Sequence, residues 1–208
     1  MNSPCPFLPP ADPRLWQVAA AVKPDAIASD DIQNLINRML DIAQAKQSDN
    51  QKRVLVGLAA SQIGIGQRVV LTDTAADGHG GTGRLEVLIN PEIIWQSSHL
   101  GDWYEGCYST GPICGIVSRP DAIKVMSLDR QGRPQTHEFK GYTARVLQHE
   151  IDHLNGQVFI ARITNPDHLH WVNDDEFAAY RDQEQWRHWP RKATFAQWEA
   201  MKQQGTSL

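Results

Sequence analysis

Apolar residues recur at three- and four-residue steps from Ile32 onward, through Leu35, Ile36, Met39, Ile42 and Ala43. That spacing predicts one amphipathic helix over about 29–46. Ser29 suits its N-cap, and Asp30 and Asp31 place acids in the first turn, where the helix dipole favours them. A second helical pattern spans 142–154. Tyr142, Val146, His149 and His153 share one face there, and Leu147, Ile151 and Leu154 form an adjacent apolar stripe. So little polar surface remains that this helix is expected at the centre of the fold, with Gly156 near its C-cap. Shorter apolar runs predict strands over 68–72, 85–89 and 122–128. A turn over 129–132 would return the last of these into a partner over 135–139. Residues 73–83 hold four glycines and predict a flexible loop. No internal repeat is present.

Composition narrows the picture. A chain of 208 residues fits one domain and can bury a core without disulfides. Residues 1–28 carry Pro4, Pro6, Pro9, Pro10, Pro13 and Pro24, and read as an extended arm lying on the domain. The main domain is expected over 29–163. Residues 164–208 are expected to form a helical appendage of that domain. Over 164–186 six acids face one arginine, and over 187–208 four basic residues face one acid. Four of the seven tryptophans, Trp171, Trp186, Trp189 and Trp198, lie in this tail. They are expected to pack it onto the domain, with docking of a partner as the alternative. The net charge of −4 argues against binding nucleic acid through bulk charge. The longest uninterrupted apolar run, 54–60, is far short of the ~20 residues that a membrane span needs. The N-terminus shows neither a basic region nor an apolar stretch, so a cytoplasmic location is expected. Three cysteines, Cys5, Cys107 and Cys114, cannot all pair, which fits a reducing compartment.

The chemistry concentrates in three segments. In His149-Glu150-Ile151-Asp152-His153, two histidines four residues apart on a helix can share one metal ion, and the glutamate between them can move a proton from water. A third ligand is needed. Asp167, His168 and His170 lie downstream, and Cys107 lies upstream in Glu105-Gly106-Cys107-Tyr108-Ser109. The third segment, 56–64, has small residues at 57, 59 and 60 that permit close backbone approach, and then Gln62, whose amide must be satisfied or offered to a substrate.

In this order the three segments resemble the peptide deformylase family. Gly57-Leu58-Ala59-Ala60-Ser61-Gln62, Glu105-Gly106-Cys107-Tyr108-Ser109 and Gln148-His149-Glu150-Ile151-Asp152-His153-Leu154 carry the resemblance, which covers about residues 12–163. It implies an α+β fold, with antiparallel or mixed sheets around a central metal-binding helix and a helical C-terminal segment. It also implies a hydrolase that removes the formyl group from the N-terminal formyl-methionine of newly synthesised proteins, releasing formate. By the same resemblance Cys107, His149 and His153 hold one divalent metal, Fe(II), which zinc, nickel or cobalt can replace. Glu150 is then the proton shuttle, and Gln62 with the Tyr108 backbone N–H stabilises the oxyanion. Val56, Gly57 and Val146 line the methionine slot, and Glu105 pairs with Arg119 to brace the cysteine loop. The implied partners are a formylated nascent polypeptide and, transiently, the ribosome, with no direct nucleic-acid or membrane contact. Two positions depart from the pattern: Leu55 stands where glycine is usual, and Tyr108 where leucine is usual. They leave open an amidase of altered substrate preference, and the tryptophan-rich tail leaves open a non-catalytic, metal-stabilised binding module.

Overall fold

In the computed structural model, which describes residues 5–47 and 54–203, the first helical pattern forms α1 (Asp30–Gln47). Its stripe of Ile32, Leu35, Ile36, Met39 and Ala43 is buried. Ser29 Oγ accepts from the Ile32 N–H at 3.5 Å, at the start of the helix. The beginning of the proline-rich arm (1–4) and the end of the tail (204–208) lie outside the described residues.

Among the described residues the strands are β1 (Gly57–Ala59), β2 (Val69–Asp73), β3 (Leu85–Gln96), β4 (Leu100–Gly106), β5 (Ile113–Pro120), β6 (Ala122–Leu128), β7 (Pro134–Lys140) and β8 (Leu169–Trp171). They form a five-stranded sheet in the order β1-β2-β3-β6-β7 and a three-stranded sheet in the order β4-β5-β8. All pairings between these strands are antiparallel. The β6–β7 hairpin forms as expected, its turn fixed by Asp129 Oδ1, which accepts from the N–H groups of Gln131 and Arg133.

Two features extend the sequence reading. β3 continues seven residues past Ile89, through Pro91. Proline has no N–H for the ladder, and the register against β6 shifts between Ile89 and Glu92 to accommodate it, with Asn90 in the left-handed region at φ 53°. The tail, besides its short helical turns and helices α3 (Phe177–Arg181) and α4 (Phe195–Gln203), supplies β8 to the edge of the smaller sheet.

The second helix, α2 (Gly141–Leu154), is central as expected. Every residue from Ala144 to Leu154 is buried. Leu147, Ile151 and Leu154 pack with Val70, Leu88, Ile123 and Val125 of the larger sheet. Complete burial of a leucine is worth roughly 1.5–3 kcal/mol, so this stripe anchors the helix. The neighbouring face of α2, which carries the histidines, is thereby fixed toward the loop that follows β4.

Candidate active site

The helical repeat sets the geometry first. His149 and His153, one turn apart on α2, have ring centroids 5.0 Å apart. β4 ends at Gly106, and Cys107 follows at the N-terminus of a short 3-10 turn, with its Sγ accepting from the Ser109 N–H at 3.3 Å. This turn carries the thiol to 3.3 Å from His153 Nε2. The ligand atoms of Cys107, His149 and His153 lie within 4.8 Å of one another, and all three residues are buried. Asp167, His168 and His170 do not join them. His170 sits on β8, within reach of the Tyr180 hydroxyl at 2.9 Å and Lys192 Nζ at 3.0 Å.

The surroundings orient this trio. Glu105 is buried and accepts from Arg119 Nε at 2.6 Å, Arg119 Nη2 at 2.8 Å, Arg145 Nη1 at 2.8 Å and His149 Nδ1 at 2.8 Å. With Nδ1 donating to Glu105, Nε2 is left as the atom that His149 could offer a metal ion, the arrangement that orients metal-binding histidines. Arg119 also donates to Asp152 Oδ2 at 2.8 Å, so one guanidinium ties the cysteine loop to α2. The expected pairing of Glu105 with Arg119 is therefore present, within a larger network that includes Arg145.

Electrostatics follow from burial and these partners. Burial alone would raise the Cys107 thiol, but the facing His153 and the hydrogen bonds from both imidazoles outweigh it and hold the thiol well below its usual range. Burial alone would likewise raise Glu105, and Arg119 holds it well below the usual carboxylate range. Glu150 is raised to about 7, chiefly by burial, with partial opposition from His149 and His153. Its Oε2 is a buried oxygen with no hydrogen-bond partner among the described residues. A carboxylate poised near neutrality suits proton transfer.

β1 runs close beside this helix because residue 57 is glycine. A Cβ there would come 2.4 Å from Glu150 Oε1 and 2.8 Å from Val146 Cγ1. The chain then turns to place Gln62, whose Oε1 accepts from the Ala59 N–H at 2.7 Å and whose Nε2 donates to Cys107 Sγ at 3.2 Å. An open cleft of about 800 Å³ joins these groups and is lined by Val56, Gly57, Gln62, Cys107, Tyr108, Val146, His149 and Glu150. His153 lies beneath, fully buried. Sequence reasoning missed other lining residues: Tyr104, Arg145, Phe177 and Arg181. Arg145 was within reach, because it precedes His149 by one turn on the same face. Phe177 and Arg181 carry no signal in the sequence.

The two departures from the family pattern are packed and also line the cleft. Leu55 is 2% exposed, in a core cluster with Phe7 and α1. Tyr108 stacks on Phe7 at 4.6 Å between centroids.

Comparison with known proteins bears on the same residues. Residues 5–168 match the polypeptide deformylase family. A peptide deformylase of Alkalilimnicola ehrlichii is 41% identical over 149 residues, covering 72% of this chain and 76% of its own. The class I type b peptide deformylase of Acinetobacter baumannii, solved with Met-Ala-Ser bound, superposes with a TM-score of 0.69 at 31% identity, covering 78% of this chain and 100% of its own. The same enzyme solved with actinonin gives 0.67 at 31% identity, over 76% of this chain and 97% of its own. A match spanning most of the chain, with its three motifs brought together in one cleft, shows that this protein belongs to the polypeptide deformylase family, the metal-dependent hydrolases that remove the N-terminal formyl group from newly made proteins.

Proposed function

We propose that Cys107, His149 and His153 hold one divalent metal ion, and that Glu150, Gln62 and Tyr108 carry out deformylation beside it. One observation carries the reading: a thiol and two imidazoles converge within 4.8 Å, next to a buried carboxylate oxygen that has no partner among the described residues. A thiolate with two imidazoles suits a divalent transition metal and leaves one coordination position open. The family resemblance favours Fe(II), with zinc, nickel or cobalt as substitutes. Bound there, the ion would polarise the formyl carbonyl and acidify water.

The chain's own groups supply the remaining chemistry. Val56, Gly57 and Val146 line an apolar slot for the methionine side chain. Glu150 takes a proton from the attacking water and delivers it to the leaving amine, so that formate and a free N-terminus depart. Gln62 has its amide orientation fixed by the Ala59 N–H, and one of its two N–H groups is directed at Cys107. The other N–H, together with the Tyr108 backbone N–H, is offered to the developing oxyanion. The substrate is a formylated nascent polypeptide met in the cytoplasm, in transient contact with the ribosome. Leu55 and Tyr108 pack with Phe7 and also line the cleft, which keeps an amidase of altered preference as the alternative reading. Burial of Trp186 and Trp198 argues against the tail serving as a binding module.

The test is formate release from formyl-Met-Ala by Ni(II)-loaded protein. Turnover with about one ion per chain is expected. Loss of that ion in a Cys107→Ala, His149→Ala double variant is expected as well, and stoichiometric metal in that variant would sink the ligand assignment.

A further inference from the structure

The family match ends at residue 168, but the cleft does not. Phe177 and Arg181, one turn apart on α3, line it from beyond the matched region. Two contacts place them. Phe177 meets Tyr104 edge-on, at 5.9 Å between centroids and 78° between planes. The Arg181 guanidinium lies against Gly80, where a Cβ would come within 2.9 Å of Cζ. Gly80 has φ +105°, so the glycine-rich loop can receive the guanidinium only because a side chain is absent there. The same loop is tied down at Gly78, whose carbonyl accepts from the Tyr104 hydroxyl at 2.8 Å. Loop and tail therefore meet at Tyr104 and form one wall of the cleft that contains Cys107, His149 and Glu150.

On that wall the tail contributes the Arg181 guanidinium, and the loop contributes Asp77, whose Oδ1 accepts from the His79 and Gly81 N–H groups. Among the described residues the arginines lining the cleft are Arg145, which is hydrogen-bonded to Glu105, and Arg181. Arg181 is half-buried at the cleft edge. A guanidinium has five donors in a planar fork, so it can brace the loop and still present a face to a carboxylate. We infer that Arg181 reads a carboxylate on the substrate, downstream of the formyl-methionine, and biases this enzyme toward acidic N-termini. The inference rests on the deformylase reading above and adds a specificity determinant supplied by the tail.

The experiment compares kcat/KM for amidated formyl-Met-Ala-Ser with formyl-Met-Asp-Ser, formyl-Met-Ala-Asp and formyl-Met-Lys-Ser, and with unamidated formyl-Met-Ala-Ser. The parent protein should favour at least one Asp peptide over the neutral amide by about 5-fold, the scale of a partly exposed charge pair, and the advantage should fade in high salt. Arg181→Lys should keep part of it, and Arg181→Glu should reverse the order of the Asp and Lys peptides. A brace without recognition would lower all peptides by the same factor, and that result overturns the inference. A gain confined to the free C-terminal carboxylate would overturn the bias toward acidic N-termini. Formate from the neutral amide with no acidic preference would sink this inference alone, whereas no formate from any peptide would sink the deformylase reading with it.

Discussion

Glu150 stands where three constraints meet: a backbone that approaches because residue 57 is glycine, a helix that places it between two imidazoles, and burial that leaves Oε2 without a partner among the described residues. Each acts on a different property. The close approach fixes its position, the histidines favour its charged form, and burial raises it to about 7. Replacement by glutamine keeps size and burial and removes only the ability to accept a proton. Glu150→Gln is therefore expected to retain metal, because Glu150 is not one of the three proposed ligands, and to lose about 10²–10⁴ in kcat, the range of general acid–base catalysis. Elemental analysis alongside formate kinetics checks both halves. Near-parental turnover would assign the shuttle to another group.

At the scale of elements, Arg119 on β5 joins β4 to α2 by holding Glu105 on one side and Asp152 on the other. It is 1% exposed, so its charge is tolerable only because both acids are in place. Arg119→Met would fill the space but leave two buried carboxylates deprived of a partner. Breaking a buried network in this way costs about 3–5 kcal/mol, to be read by chemical denaturation. A loss under about 1 kcal/mol would show that Arg145 and Arg162, which also hold these acids, suffice. This network also shows what the sequence could reveal. The helix-borne groups were legible because a 3.6-residue repeat converts spacing directly into a shared face, and the Glu105–Arg119 pair followed from family resemblance. β4 and β5 were not legible. Leu100–Gly106 shows no clean alternation, and Ile113–Pro120 is a nearly continuous buried run that periodicity cannot tell from a loop or a helix. β3 was legible only as far as Ile89, before Pro91, because the bulge that accommodates proline depends on its partner strand. Phe177 and Arg181 reach the cleft only through the path of the folded tail, to which local pattern is blind.

On the scale of the whole molecule, the tail is held to the domain by two kinds of contact. One is aromatic: Trp186 and Tyr180 pack with Tyr104, and Trp198 with Trp16. The other is polar and centres on His170, which pairs in register with Cys114 across β8 and β5 and is bridged to Lys192. Burial, reinforced by the nearby Lys192 charge, pushes the His170 imidazole down to about 4, from an ordinary value of 6.5. The folded protein thus holds it neutral over a range in which the unfolded chain would protonate it. Between these two values the unfolded state binds more protons, so the contribution of His170 is present in full above pH 6.5 and is lost as pH falls toward about 4. Its ring faces the Tyr180 hydroxyl, Lys192 Nζ and the Asp167 carbonyl. Protonation sets the imidazolium against the nearby Lys192 charge where β8 closes the smaller sheet. Glutamine at 170 can keep a hydrogen bond but cannot titrate. The melting temperature of the parent should therefore fall more steeply than that of His170→Gln between pH 6.5 and 4.5, and the two should run parallel above pH 7. The substitution removes no other titratable group, so the difference isolates the imidazole. Parallel curves across the whole range would mean that His170 takes up its proton in the folded state at its ordinary value, and that the tail is held by its aromatic contacts alone.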